Sequence, residues 1–205
     1  MLTSKSCAPE SEFDAESRLK AKQDSAVNQI RRDFVSEYLL EEELVAYTEK
    51  ARQKLFDFAD YLNIYAAENM DTLLRDQAKG MIYRLFFRKD ATSTLRVATT
   101  VTDGKKENKI SDLLKDIDTS GHASLLFMIA DMRTLEPLHQ ENFERYSGKL
   151  GCRFSILAYD DRDTTLLHET YKEVSILTTR TSKHFGSTAP MQVWQVFLDE
   201  IADAK

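Results

Sequence analysis

One stretch constrains the fold of this chain more than any other. Between Glu41 and Glu68, Leu44, Ala51, Leu55, Phe58, Leu62 and Tyr65 recur at steps of seven, four and three. On a helix of 3.6 residues per turn these six fall on one stripe. The helix would be roughly 40 Å long, and burying so long an apolar seam requires a broad partner surface, which a sheet supplies. Glu41 to Glu43 near its start and Lys50, Arg52 and Lys54 further on suit the helix dipole only in part.

Two further helices flank it. From about Asp14 to Leu40, Val27, Ile30, Phe34 and Tyr38 share one stripe, opposite Gln23, Asn28, Arg32 and Glu37. After the seam, Asn69 or Asp71 is placed to cap a helix from Thr72 to about Phe87. Its expected buried face is Leu73, Leu74, Ala78, Met81, Ile82, Leu85 and Phe86. Gly80 within it costs about 1 kcal/mol relative to alanine, a cost that close packing would offset.

Beyond Asp90 the periodicity changes. Thr92 to Val101 is rich in β-branched residues and predicts a strand, followed by a polar loop from Asp103-Gly104. Ser111 reads as the cap of a short helix carrying Leu113, Leu114 and Ile117 and closed by Gly121. Next comes His122 to Met132, where Leu125 to Ile129 are apolar on both faces and predict a central, doubly covered strand. Further strands are expected at His139–Tyr146 and Cys152–Tyr159, with a turn at Ser147-Gly148 between them. Asp160 to Asp163 turns the chain into a strand from Thr164 to Thr181, with Val174, Ile176 and Thr178 on one face. Gly186 to Pro190 leads to a last strand, Met191–Ile201, where Trp194, Val196 and Leu198 share a face.

Helices first and hairpin-linked strands afterwards make an α+β order, with N-terminal helices packed on a curved, mostly antiparallel sheet. The expected division is a disordered N-terminus over 1–12, a helical extension over 13–40 and an α+β domain over 41–205. Composition agrees with one packed domain: 205 residues, 42% hydrophobic, with six glycines and three prolines. A net charge of -6 and the acidic neighbours of Arg31-Arg32 and Lys105-Lys106 argue against a nucleic-acid partner. No apolar run is long enough for a transmembrane helix. Cys7 and Cys152 form no CxxC, and the histidines at 122, 139, 168 and 184 show no metal-ligand spacing, so no metal or cofactor is expected. Small residues before Cys7 and the acidic stretch Glu10 to Glu16 resemble a bacterial lipoprotein start. The compartment therefore stays open between the cytoplasm and the cell envelope.

The element order, with Leu55 to Leu62, Asp71 to Arg75, Met81 to Phe87 and Val174 to Gly186 leading into Val193 to Ile201, resembles the nuclear-transport-factor-2-like (cystatin-like) cone superfamily, in the version found in gut Bacteroidetes. The resemblance covers residues from about 35 onward. Similar sequences carry Leu-Gly-Asp/Asn-Ile near the end, where this chain has Leu198-Asp199-Glu200-Ile201. It implies a cone with a pocket between the long helix and the concave sheet. That fold hosts isomerases, dehydratases, ligand carriers and interaction domains, and so does not choose among them.

A ketosteroid-isomerase type of site would need a pocket carboxylate as base and a hydroxyl to stabilise an enolate. Asp131 ends the apolar run Leu125 to Ala130, where burial would suit it to that role, and Tyr61, Tyr65 and Tyr159 are candidate hydroxyl donors. Phe58, Tyr65 and Trp194 are candidates for lining an apolar ligand. The Asp160, Asp161, Asp163 group lacks the glycine and distal glutamate of a calcium loop. The reading favoured overall is a non-enzymatic domain that binds a small apolar ligand or a protein and forms a homodimer through its sheet face. The alternatives are the isomerase or dehydratase just outlined and an envelope-anchored lipoprotein held through Cys7.

Overall fold

The computed structural model describes residues 38–97, 108–122, 124–160, 163–184 and 190–204. The expected helix over 13–37, Cys7 with its lipoprotein reading, the 103–104 loop and the 186–189 turn lie outside them. Residues 38–40 precede the long helix without being helical themselves. Among the described residues there are three helices and one six-stranded sheet.

Helix α1 spans Glu41–Ala66. The side chain of Glu43 accepts a hydrogen bond from the Leu40 N–H at 2.7 Å, supplying half of a capping box. Its buried residues are those of the seam, Ala51, Leu55, Phe58, Leu62 and Tyr65, joined by Ala59, with Leu44 partly buried against the same core. Helix α2, Thr72–Leu85, starts at Asp71, whose carboxylate accepts from the Leu73 N–H at 2.7 Å. Ala78, Ile82 and Leu85 are its buried side, whereas Leu73 and Leu74 are exposed. They sit in the first turn, beyond the reach of the core, which corrects the expected face. Gly80 has no neighbour that an added Cβ would meet, so close packing is not its reason. Helix α3, Ile110–Thr119, begins before Ser111, and Asp112 accepts from the Lys109 N–H at 3.1 Å. Gly121 follows with φ of +70°, the left-handed conformation that stops a helix at low cost.

The strands are β1 (Thr92–Ser93), β2 (Asn108–Lys109), β3 (Ser124–Asn142), β4 (Arg145–Asp160), β5 (Asp163–Lys183) and β6 (Met191–Asp203), in the order β2-β1-β6-β5-β4-β3. The sheet is mixed: β3, β4 and β5 pair antiparallel, while Ser93 pairs parallel with Ile201. The strand expected from Thr92 to Val101 is two residues long, and residues 98–101 lie outside the description.

Two sequence expectations fail in β3 and β4. β3 is an edge strand and not a central one: Leu125 and Phe127 are buried, but Leu126 and Met128 are 40% and 48% exposed. The β3–β4 turn lies at Phe143–Glu144, between the paired Asn142 and Arg145, while Ser147 and Gly148 run mid-strand. Gly148 is small for another reason. Its position faces the backbone of Glu136 and Leu138, where β3 carries an extra residue against β4. Four such irregularities bend β3, at Ala130/Arg133, Thr134/Glu136, Glu136/His139 and Gln140/Asn142.

The core lies between the helices and one sheet face. Phe58 stands edge-on to Phe86 at 5.4 Å and tilted against Phe154 at 6.4 Å, and Phe154 meets Phe127 at 6.3 Å. Leu150, Cys152, Phe154 and Ile156 of β4 alternate inward as their spacing predicts, as do Val174 and Ile176 of β5. In the same inward series stands Lys172, opposite Cys152 and 1% exposed. Its Nζ donates to Thr94 O at 3.2 Å, to Thr94 Oγ1 at 2.9 Å and to Asp203 Oδ1 at 2.5 Å, so the buried amine is fully partnered.

Candidate functional site

The space between α1 and the sheet, where the cone resemblance places a pocket, is occupied by Phe58, Leu62, Phe127, Phe154 and Ile156. The ligand-lining candidates are part of this packing. Phe58 is fully buried, and Trp194 stands edge-on to Tyr146 at 5.4 Å with the Arg180 guanidinium 5.3 Å from its ring. The Tyr65 hydroxyl donates to Asp118 Oδ2 at 2.7 Å, and Arg75 reaches Asp118 Oδ1 at 3.0 Å and the Tyr65 carbonyl at 2.9 Å. Burial, helped by the Asp118 hydrogen bond and charge, pushes the Tyr65 phenol up to about 12, against the opposing pull of Arg75. A phenol held this firmly is a structural donor and not a proton source near neutral pH.

The catalytic candidates do not come together. Asp131 occupies a β-bulge with φ of +51°, and its side chain is 56% exposed. Its carboxylate pairs with Arg153 Nη2 at 2.8 Å, and its carbonyl accepts from the Tyr171 hydroxyl at 3.0 Å. The bulge turns it into solvent, so the expected burial, on which a general-base role depended, is absent. Tyr61 packs partly buried against the core. Tyr159 is exposed and lines a cleft that contains neither of the others.

That cleft, about 410 Å³, lies where Gly121 and His122 follow α3. Ala158 and Leu167 form its apolar part, and His122, Tyr159, Asp163 and Thr165 its polar part. A second cleft, about 450 Å³, is lined by residues of β3, β4, β5 and β6 and by Phe87 and Arg88 after α2. Its three cations are each matched: Arg88 with Asp199 at 3.0 Å, Lys149 with Glu136 at 3.9 Å and Arg145 with Glu141 at 4.0 Å. Arg145 also stacks over Phe87 at 5.4 Å.

Among the described residues, an apolar row lies on the sheet face turned from α1. Leu126 of β3, Leu157 of β4 and Leu166 of β5 are direct cross-strand partners and so form one row. Leu126 and Leu166 are 40% and 54% exposed, Met128 lies beside them, and Leu157 is half-buried between them. Further along the same face, beyond the Met128–Ser155 pair, Arg153 lies between Asp131 and Glu169, at 2.8 and 3.8 Å. The sequence signal for this row is the apolar character of both faces of Leu125 to Ile129, a pattern shared by a central strand and by an edge strand with an open apolar face.

Among the described residues no group of three or more His, Cys, Asp and Glu is arranged to hold a metal ion. No helix there is long and apolar enough to cross a membrane. No family model, curated protein or solved structure matches the chain.

Proposed function

We propose that this chain is a non-enzymatic interaction module of the cone type that pairs with a second copy of itself through the sheet face turned from α1. The observation that carries the reading is the Leu126–Leu157–Leu166 row. Its leucines gain about 1 kcal/mol or more each on losing their remaining water contact. The flanking Asp131–Arg153–Glu169 group carries both signs side by side. A two-fold axis passing beside the group would set Arg153 of one copy against Asp131 or Glu169 of the other, a contact that is isologous. The helix-then-strand order supports membership of the nuclear-transport-factor-2-like cone superfamily, while the filled interior favours an interaction role over the isomerase or dehydratase reading.

Sedimentation equilibrium tests the proposal. The expected result is a monomer–dimer equilibrium that Leu157→Glu shifts to monomer without changing the circular dichroism spectrum. A wild-type protein that stays strictly monomeric at high concentration would sink it.

A second reading, small-ligand binding, has the His122, Tyr159 and Asp163 cleft in its favour, since its lining joins Ala158 and Leu167 to four polar side chains. A thermal-shift screen against small neutral and anionic compounds, repeated on His122→Ala, tests it. A hit whose shift is unchanged in the variant would place binding elsewhere.

A further inference from the structure

The edge of β3 carries a hazard and a device that meets it. Leu125, Leu126, Phe127, Met128, Ile129 and Ala130 are six consecutive apolar residues without charge or proline. They lie in the terminal strand of the sheet, in the part of β3 that pairs regularly with β4 before the first bulge. A straight, apolar, unbroken edge of this length is a template for strand addition. Further along, the bulges and Pro137 spoil the edge for pairing.

Inside the regular stretch, Phe127 donates its N–H to Asn63 Oδ1 at 2.6 Å and accepts from Asn63 Nδ2 at 3.1 Å. Both backbone groups of Phe127 therefore point away from β4, as expected of the wide, non-hydrogen-bonded pair that Phe127 forms with Ile156. A carboxamide carries one acceptor and one donor side by side, as does the peptide edge of a neighbouring strand. Asn63 stands on α1, 64 residues from Phe127 in sequence, and supplies both bonds from a single side chain.

We propose that Asn63 takes the hydrogen-bonding place of an additional strand and keeps the β3 edge closed to the same edge of a second copy. This contact is distinct from the sheet-face dimer, which uses side chains normal to the sheet and leaves the edge untouched. Without the carboxamide, the Phe127 groups at the middle of the apolar run lose their partners, and antiparallel pairing of two 124–130 segments becomes the means of satisfying them.

The test is made in the Leu157→Glu background, so that face association does not enter. Asn63→Ala is compared with Leu62→Ala, a neighbouring core truncation that leaves the clamp in place. With Asn63→Ala, the Phe127 amide is expected to exchange roughly ten-fold faster in the dilute protein, the equivalent of one lost hydrogen bond. Sedimentation should then show concentration-dependent oligomers with added β-sheet infrared absorption, while Leu62→Ala stays monomeric below its unfolding transition. Three outcomes overturn the proposal. If Asn63→Ala stays monomeric with unchanged exchange, the clamp does not protect the edge. If it stays monomeric with faster exchange, Asn63 anchors α1 without guarding the strand. If Leu62→Ala associates equally, lost stability and not an opened edge is the cause.

Discussion

Replacing Gly148 by alanine sets two effects of known sign against each other, and the geometry decides between them. Gly148 does not have a positive φ, so alanine can adopt its backbone conformation. Restricting the unfolded chain would then favour the folded state by about 0.4–1 kcal/mol. Against this, the new Cβ would lie 2.8 Å from the Glu136 carbonyl oxygen, 3.1 Å from Leu138 N and 3.2 Å from Leu138 Cα. Ordinary contact begins near 3.4 Å, so the strands must part by roughly half an ångström, and forced overpacking costs about 1–3 kcal/mol. The obstacle is backbone on either side of Pro137, which cannot rotate aside as a side chain would. The expected net loss is about 1–2 kcal/mol, seen as a lower urea midpoint at unchanged slope, with a fall in Tm of about 2–4 °C for each kcal/mol. Gly80→Ala calibrates the measurement: nothing lies within 4 Å of its Cβ, so it should gain about 0.5–1 kcal/mol. A Gly148→Ala protein as stable as wild type would show that the bulged part of β3 yields freely.

Other outcomes follow from the buried groups. Because the Tyr65 phenol is held near 12 against an ordinary value of 10, the stability it confers is complete below about pH 10 and is lost as pH rises toward 12. Tyr65→Phe should flatten that limb of the stability curve in urea titrations across this range, and an unchanged limb would count against the assignment. Cys152 is fully buried, and that burial pushes its thiol up to about 11 despite the opposing charge of Lys172. Mass spectrometry should therefore find Cys152 alkylated by iodoacetamide only under unfolding conditions, and rapid labelling in the native state would refute its placement. Lys172→Ala, which leaves a void opposite Cys152, should cost roughly 2–4 kcal/mol, whereas Lys172→Met should lose less than about 1.5. Equal losses in chemical denaturation would mean that the amine's hydrogen bonds matter more than its volume.

The helical part was legible because a 3.6-residue period is a local property, and α1 buries every member of the Ala51 to Tyr65 seam. Strand faces were legible for the same reason in Cys152 to Ile156 and in Trp194 to Leu198. Position within the sheet was not. Leu126 and Met128 belong to an apolar run whether their face is covered or open, and only the strand order reveals that it is open. Ser147-Gly148 gives an ambiguous signal because glycine serves both in turns and where another backbone comes close. The candidate site was the least legible part. Asp131 lies beside apolar residues in sequence, yet a single extra residue in the strand turns it outward. Asn63 and Lys172 act through partners far along the chain, so no local spacing announces them. Lys172 did leave one trace, a lysine in step with Val174, Ile176 and Thr178 on the inward side of β5.

The parallel pairing at the far side of the sheet bears on the order in which the molecule assembles. β3, β4 and β5 are consecutive antiparallel strands whose ends lie three residues apart in sequence, and such hairpins form in microseconds. The contact of Thr94 with Ile201 instead joins positions 107 residues apart, as Phe87 with Leu198 does over a similar span. Closing so long a loop is entropically costly until intervening structure has shortened it. The hairpins, β6 beside them and α1 should therefore collapse first, with β1 and the segment after α2 closing last on β6. During that interval the side of β6 that β1 will cover is unprotected, so the yield on refolding should fall as protein concentration rises even when the native state is fully soluble.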